Sequence, residues 1–469
     1  MSETTKHSTS RRTFLKNSGQ VAAATALATA AAPPRVHAAE ANTINVALVG
    51  CGGRGTGAAA NALSVENGPV KLVAMADVFA ERLSTRAKSL SAKFGDQVDV
   101  PEDRQFLGFD AYKKAVDCLK PGDVAIFATP PAFRWVHFTY AIEKGVNVFM
   151  EKPVTVDGPT TRKMLKLAEE AAKKNLKVGV GLMVRHCRGR QALKERIESG
   201  EIGEIIAMRG YRMARNKSTN AYCPPRKDDM PDVSELLYQV KRFHSFLWAS
   251  GGVYNDYYIH QIDELSWMKG AWPVEAHALG GRHYRENEVD QNFDAYAVEY
   301  TYPDGTKLFY NGRNMIDCED GFASYVHGTK GSAIVTTASH HPGKVRTFGG
   351  QRYEKWRGDR DKASDKLLWG PPEEPNPYQL EWDDLVDAIR QDKPYNEVKR
   401  GAEASLTASM GRMSAHTGQV ITFDQILNSD HEFAPEVDQL SMTAPAPLIA
   451  DADGKYPIPM PGVNKTREY

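Results

Sequence analysis

Short apolar runs alternate with longer amphipathic stretches through the first third of the chain after residue 43. Residues 43–49, 70–76, 123–128, 146–150 and 177–183 are brief and rich in β-branched side chains, which predicts buried strands. Residues 58–63, 110–119 and 158–174 carry helical periodicity between them. Strands alternating with helices imply a parallel, doubly wound sheet with ligand sites beyond the carboxyl ends of its strands. After a helix at 191–199 and a turn at 200–203 the pattern changes. Residues 204–211, 274–279, 295–302, 307–311, 322–326 and 333–337 are strand-like, are separated by turns, and have no helices between them. That predicts a large, mainly antiparallel sheet. Helical patterning returns at 377–391 and 401–417, and a Pro-rich, extended tail draped over a neighbouring surface follows from residue 435. The expected fold class is thus α/β plus α+β. An N-terminal Rossmann-type domain (39–185) is joined to a C-terminal domain (186–434) whose final helices pack back, and then to the tail (435–469).

The first 38 residues belong to neither pattern. Ser10-Arg11-Arg12-Thr13-Phe14-Leu15-Lys16 precedes an Ala-rich apolar run over 21–32, then Pro33-Pro34 and Val36-His37-Ala38. A twin arginine, a weakly apolar core and a small-x-small end read as a Tat export signal cleaved near Ala38. The run is too short to anchor in a bilayer. The expected location is periplasmic or otherwise exported, with the Tat machinery as a partner. A protein exported this way meets no pool of free cytoplasmic cofactors, so any cofactor it uses is expected to be held tightly.

Composition removes other classes. The 469 residues carry 59 basic and 59 acidic side chains, which gives no reason to expect nucleic acid as a partner. The five cysteines show no ligand or disulfide spacing, and no metal site is read.

Gly50-Cys51-Gly52-Gly53-Arg54-Gly55 is a G-x-G-x-x-G loop between a strand and a helix. Gly50 allows the tight turn, Gly52 and Gly53 let the backbone approach a pyrophosphate, and Gly55 lets the helix pack on the strand. The helix amides then face the phosphates. Asp77 closes the second strand, where a carboxylate accepts from ribose hydroxyls and repels a 2′-phosphate. NAD is therefore expected over NADP, with Arg82 and Arg54 as candidate phosphate contacts. Thr129, Pro130, Glu151 and Lys152 fall at strand ends, and His137 on the next helix supports the loop.

Asp256 and His260, four residues apart, share a helix face, and a carboxylate beside an imidazole makes a proton acceptor. Arg185 and His186 fall at a further strand end. An insert over 213–246 reads as a long loop contributing Tyr222, and with Trp248, Tyr254, Tyr257 and Tyr258 it would supply aromatic platforms for a sugar. Packing or subunit contact is an equal reading of those aromatics.

The glycine loop, Thr129-Pro130, His137, Glu151-Lys152-Pro153, Asp256-x-x-x-His260 and Gly328-Thr329-Lys330-Gly331 occur in one order from residue 43 to 418. In this the chain resembles the glucose–fructose oxidoreductase/inositol dehydrogenase (Gfo/Idh/MocA) family. The resemblance implies hydride transfer to NAD from a secondary alcohol of a sugar, polyol or glycoside. Lys152 would polarise the oxygen, and His260, backed by Asp256, would take the proton. It also implies a homo-oligomer, a dimer or tetramer, formed on the large sheet. Two other readings stay open. One is a redox-neutral, NAD-dependent glycoside hydrolase like the α-N-acetylgalactosaminidases that resemble this family. The other is a non-catalytic sugar binder, which would not need Lys152, Asp256 and His260 together.

Overall fold

The computed structural model of the protein describes residues 42–214, 222–283, 287–340, 344–352, 366–372 and 375–469. The expected export signal and residues 215–221 of the insert lie outside this set. Six parallel strands form the first sheet: β1 (Ile44–Val49), β2 (Val70–Asp77), β3 (Gln105–Leu107), β4 (Val124–Phe127), β5 (Asn147–Met150) and β6 (Val178–Val180). Their order, β3-β2-β1-β4-β5-β6, reverses direction between β1 and β4, so a crevice opens where those two strands end. Strands buried on both faces explain the unbroken apolar runs. Helix Pro377–Arg390, far along the chain, covers this sheet by burying Trp382, Leu385, Val386 and Ile389 against Val46, Leu48 and Phe149. The first domain is therefore discontinuous in sequence.

Among the described residues the second sheet has nine strands, and within it β7 (Ile205–Ala214), β8 (Glu275–Gly281), β9 (Ala295–Thr301) and β10 (Lys307–Asn314) run in the order β7-β10-β9-β8. It is mainly antiparallel as expected, but β7 and β10 pair in parallel. Its inner face buries Tyr296, Val298, Tyr300, Leu308 and Tyr310.

Helix Gly252–Lys269 lies on that inner face. Its apolar and polar residues are spread around the axis because nearly every side chain is covered. Tyr254 and Tyr258 pack among Tyr296, Tyr300 and Tyr310, and the hydroxyls of Tyr254 and Tyr300 are 3.0 Å apart. At Gly312 a Cβ would stand 2.1 Å from the Tyr258 ring, so the sheet's contact with the helix depends on the missing side chain. Asn255 Nδ2 donates to Ser409 Oγ of helix Val398–Thr417 at 2.7 Å.

Two expectations change. The insert is not a simple loop: it holds helices Arg226–Asp229 and Glu235–Lys241 and a 3-10 turn at Phe243–Ser245. The tail packs on its own chain. Its Tyr456 meets Phe246 edge-on and donates to Glu235, while Gln239 Nε2 donates to Leu448 O, so the tail pins the insert. At its end Glu468 is buried, receiving Arg412 through Nε and Nη2 at 2.9 and 2.8 Å. Arg412 also donates to the backbone oxygens of Gly251 and Val156, joining the tail, the central helix start and the loop after Lys152. Burial keeps His416 neutral, so its Nδ1–H donates to Glu468 at 2.6 Å and its Nε2 accepts from the Tyr296 hydroxyl.

Burial alone would raise the Glu468 pKa, but the Arg412 charge and the His416 bond outweigh it and hold it at about 2. A depressed carboxylate pKa contributes stability above its ordinary value of 4.5, and that stability is lost as pH falls toward 2. Glu468→Gln should cost about 3–5 kcal/mol in urea unfolding at neutral pH by stranding buried Arg412. The variant should also lose less stability than the parent on acidification. Equal stability of the two proteins at neutral pH would refute the role.

Candidate functional site

Above the switch between β1 and β4 lies a cleft of about 280 Å³. Gly50, Gly52, Gly53, Arg54, Gly55, Asp77, Arg82, Thr129, Pro130 and His137, all named from the sequence, line it. Gly50 has φ +93°, and a Cβ there would sit 2.6 Å from the carbonyl carbon of Ala128, so the turn admits only glycine. Nothing lies within 4 Å of where side chains at Gly52 and Gly53 would begin, which leaves their backbone open to a close ligand. Helix Gly53–Leu63 starts without a side-chain cap, so its first amides are available to a pyrophosphate.

Asp77 accepts from the Cys51 amide at 2.7 Å and the Phe79 amide at 3.0 Å. Burial still raises its pKa, with Arg82 opposing. Thr129 Oγ1 lies 3.2 Å from His137 Nδ1, and burial together with the Arg134 charge pushes His137 down to about 3. His137 is thus a neutral support. These features fit a dinucleotide held by backbone amides at its phosphates and by a carboxylate at its ribose.

Several assignments from sequence need correction. Arg54 borders the cleft as expected, with its Nε 3.1 Å from buried Glu151 and its guanidinium over the Tyr378 ring. Glu151 is buried and paired with Arg54, and it is not in the lining of the cleft. Arg185 grips buried Asp263 through two nitrogens at 3.0 and 2.6 Å and stacks near Trp267 and Trp272. His186 joins Asp384 and Glu397 at 2.7 and 3.2 Å. The short 3-10 turn Met183–His186 directs both into structural ion pairs. Tyr254 and Trp248 are fully buried core residues, and Tyr222 donates to Asp294 and Asn314 O. Tyr257 is half-buried, with its ring 5.3 Å from that of His244.

The largest correction concerns Asp256. No hydrogen bond joins it to His260. Its Oδ2 is 2.9 Å from His244 Nε2, and its Oδ1 is 3.5 Å from Lys152 Nζ, which also donates to Asp256 O at 2.6 Å. Burial would raise the Asp256 pKa, but Lys152 and His244 prevail and hold it well below the carboxylate range. His260 instead packs against His340, ring centres 4.4 Å apart and planes tilted by 52°. Burial, then His340 and the charges of Lys152, Arg212 and Arg54, keep His260 neutral.

Sequence reading passed over Gly108, Phe109, Tyr112, Phe133 and Val240, which also line the cleft, beside two residues of the insert it took to be functional, Phe243 and His244. Gly108 and Phe109 follow β3 and were accessible to the strand-end rule; Val240, Phe243 and His244 come from the insert, where no local signal placed them at the cleft. Arg134 was missed too. Fully buried, it donates to Phe127 O at 2.8 Å and Thr129 O at 2.9 Å, fixing the end of β4, and burial lowers its pKa to about 10.

Residues 44–182 match the model of an oxidoreductase family with an NAD-binding Rossmann fold, and residues 190–334 match the GFO/IDH/MocA C-terminal domain. An inositol 2-dehydrogenase of Corynebacterium glutamicum is 25% identical over 261 residues, covering 53% of this chain and 62% of that protein. The chain thus spans less than two thirds of that relative's length. Myo-inositol 2-dehydrogenase from Lactobacillus plantarum superimposes with a TM-score of 0.57 at 22% identity, over 81% of this chain and 99% of that one. Scyllo-inositol dehydrogenase from Lactobacillus casei, solved with NAD(H) and scyllo-inositol, gives 0.56 at 18% identity over 82% and 100%. At these identities the structures bear on the fold alone.

Asp77→Ala should weaken NAD binding by about 1.5–3 kcal/mol, the range for a hydrogen bond to a charged group. Calorimetric titration of cofactor-depleted protein reads this directly; an unchanged Kd would remove Asp77 from the site.

Proposed function

The chain belongs to the Gfo/Idh/MocA oxidoreductase family, and on that premise we propose that it oxidises a secondary alcohol of a sugar, polyol or glycoside. The observation that carries this reading is the meeting of Lys152, from the turn after β5, with Asp256 of the central helix beside a glycine-lined NAD cleft. His260, on the next turn of the same helix, completes the cluster. Bound NAD supplies the hydride acceptor. Within the chain, the Lys152 ammonium polarises the alcohol oxygen and stabilises negative charge developing on it. Asp256 fixes that ammonium, and an imidazole of the cluster takes the hydroxyl proton. Inositols, named for several relatives, are ring polyols bearing such secondary hydroxyls.

The enzyme is proposed to act outside the cytoplasmic membrane with its cofactor retained. Residues 10–38 support export, and Val240, Phe243 and His244 of the tail-pinned insert border the cleft in support of retention. The outer face of the second sheet leaves Leu279 72% and Phe309 42% exposed, which supports its use by a second copy of the chain.

A panel of inositols, sugars and chromogenic glycosides, followed by absorbance of the reduced nicotinamide, tests the reaction class. Oxidation should appear with at least one polyol or sugar, and Lys152→Met should lower kcat about 10²–10³-fold while NAD still binds. Glycoside cleavage without net reduction of NAD would favour the redox-neutral hydrolase instead. Arg11→Lys with Arg12→Lys should leave the protein in the cytoplasm, as fractionation reads; undiminished export would overturn that part.

A further inference from the structure

Arg212 of β7 stands on the inner face of the second sheet, a face that buries Tyr300, Leu308 and Tyr310. Its register partners are Gly312 on β10 and Phe322 on the adjoining strand Gly321–Gly328. Gly312 is the position whose missing side chain admits the Tyr258 ring, so Arg212 shares the face that carries the central helix. A guanidinium placed there is costly to desolvate unless its charge is answered. Arg212 is half-buried and lies over the rings of Phe322 and Tyr257, 4.8 and 5.5 Å from their centres. Stacking of this kind covers a face of the planar group and leaves its N–H edge for hydrogen bonds.

On that edge Nη1 donates to His340 Nε2 at 2.8 Å. Burial, then the charges of Arg212, Arg190 and Lys152, keep His340 neutral, so this bond satisfies a donor without matching the charge. The other arginines nearby differ. Arg54 meets Glu151, Arg185 meets Asp263 and Arg190 meets Glu264, each at 3.2 Å or less. Arg134, with no carboxylate bonded to it, spends its donors on the carbonyls of Phe127 and Thr129. Among the described residues Arg212 has neither a carboxylate nor a carbonyl on its side chain. It is also one imidazole away from the reacting centre, because the His340 ring that accepts from it packs against His260 at 4.4 Å. Asp256 is engaged by Lys152, and Glu151 by Arg54. One positive charge is thus left over beside the place where the alcohol must sit.

We propose that Arg212 binds a carboxylate of the substrate, so that the preferred alcohol belongs to a sugar acid of the uronate type and not to a neutral sugar. The inference rests on the dehydrogenase reading above and narrows it. A carboxylate matches the edge of a guanidinium both in charge and in its pair of oxygens. A phosphate ester would bring roughly two negative charges where one positive charge is unmatched. Bound to Arg212, the carboxylate holds one end of the substrate while Lys152 meets the alcohol oxygen and His260 takes its proton. Two fixed points orient the reacting carbon toward the nicotinamide. The same anion offsets one of the cations that, after burial and His340, depress the basicity of His260, so the base strengthens in the loaded site.

Two measurements on the full-length, NAD-loaded protein test the assignment. Binding comes first and needs no turnover: calorimetric titration with glucuronate and galacturonate, each against its neutral parent sugar and its methyl ester. At least one acid should bind about 10–10²-fold tighter than both of its neutral counterparts. That preference should vanish in Arg212→Met and return in part in Arg212→Lys. The second measurement is kcat/KM on the same compounds. The acid-over-neutral ratio should fall about 10–10²-fold in Arg212→Met, carried mainly by KM. If the Met variant does not fold, the comparison of acid with ester on the unmodified protein decides. Neutral sugars or inositols bound as tightly as the acids, a sugar phosphate bound in preference to them, or an acid preference that survives in Arg212→Met overturns the proposal. Binding of an acid through Arg212 with oxidation of none of these compounds would leave the carboxylate site standing and sink the dehydrogenase reading.

Discussion

Asp256 is a carboxylate held ionised inside the protein, and its surroundings exist to make that tolerable. Desolvating such a charge costs several kcal/mol unless partners compensate. Here the compensation comes from two directions, an ammonium from the nucleotide-binding domain and an imidazole from the insert. Residues 152, 244 and 256 thereby become one unit, and the two domains are registered at the point where chemistry is expected. Loss of either partner would leave the buried carboxylate with one in place of two.

The rest of the second domain holds the helix that carries Asp256. Five tyrosines pack between it and the sheet, and Asn255 ties it to helix Val398–Thr417. Arg412, anchored by Glu468 at the far end of the chain, donates to Gly251 O at the helix start and to Val156 O in the loop after Lys152. The tail thus serves the site from a distance. By pinning the insert through Gln239 and Glu235, it also holds Val240, Phe243 and His244 along the cleft.

Much of this was written locally in the sequence. The strands of both sheets, the glycine loop, Asp77 and the strand-end positions of Thr129, Pro130 and Lys152 follow from periodicity and from the backbone freedom of glycine, which act over a few residues. Helical spacing placed Asp256 and His260 on one helix correctly. What spacing could not determine is which imidazole the carboxylate meets, because side-chain direction is set by packing across elements. The Tyr258 and Tyr310 rings, His340 and Arg212 fix one side of the helix, while the fold of the insert supplies the other.

The same division explains Arg185, His186, Arg54 and Tyr254. Each stood at a position where ligand contact is chemically reasonable, and each has a partner within the protein: Asp263, Asp384 with Glu397, Glu151, and the tyrosine core. Burial of a charged or aromatic group demands such a partner, and the partner here is always distant in sequence. Sequence alone determined the fold class and the nucleotide-binding loop, since local propensity and steric freedom suffice for those. Only the tertiary structure decided the pairing of Asp256 with His244, the covering role of the insert and the inward path of the tail. Those depend on which desolvated groups can satisfy one another once the chain is compact.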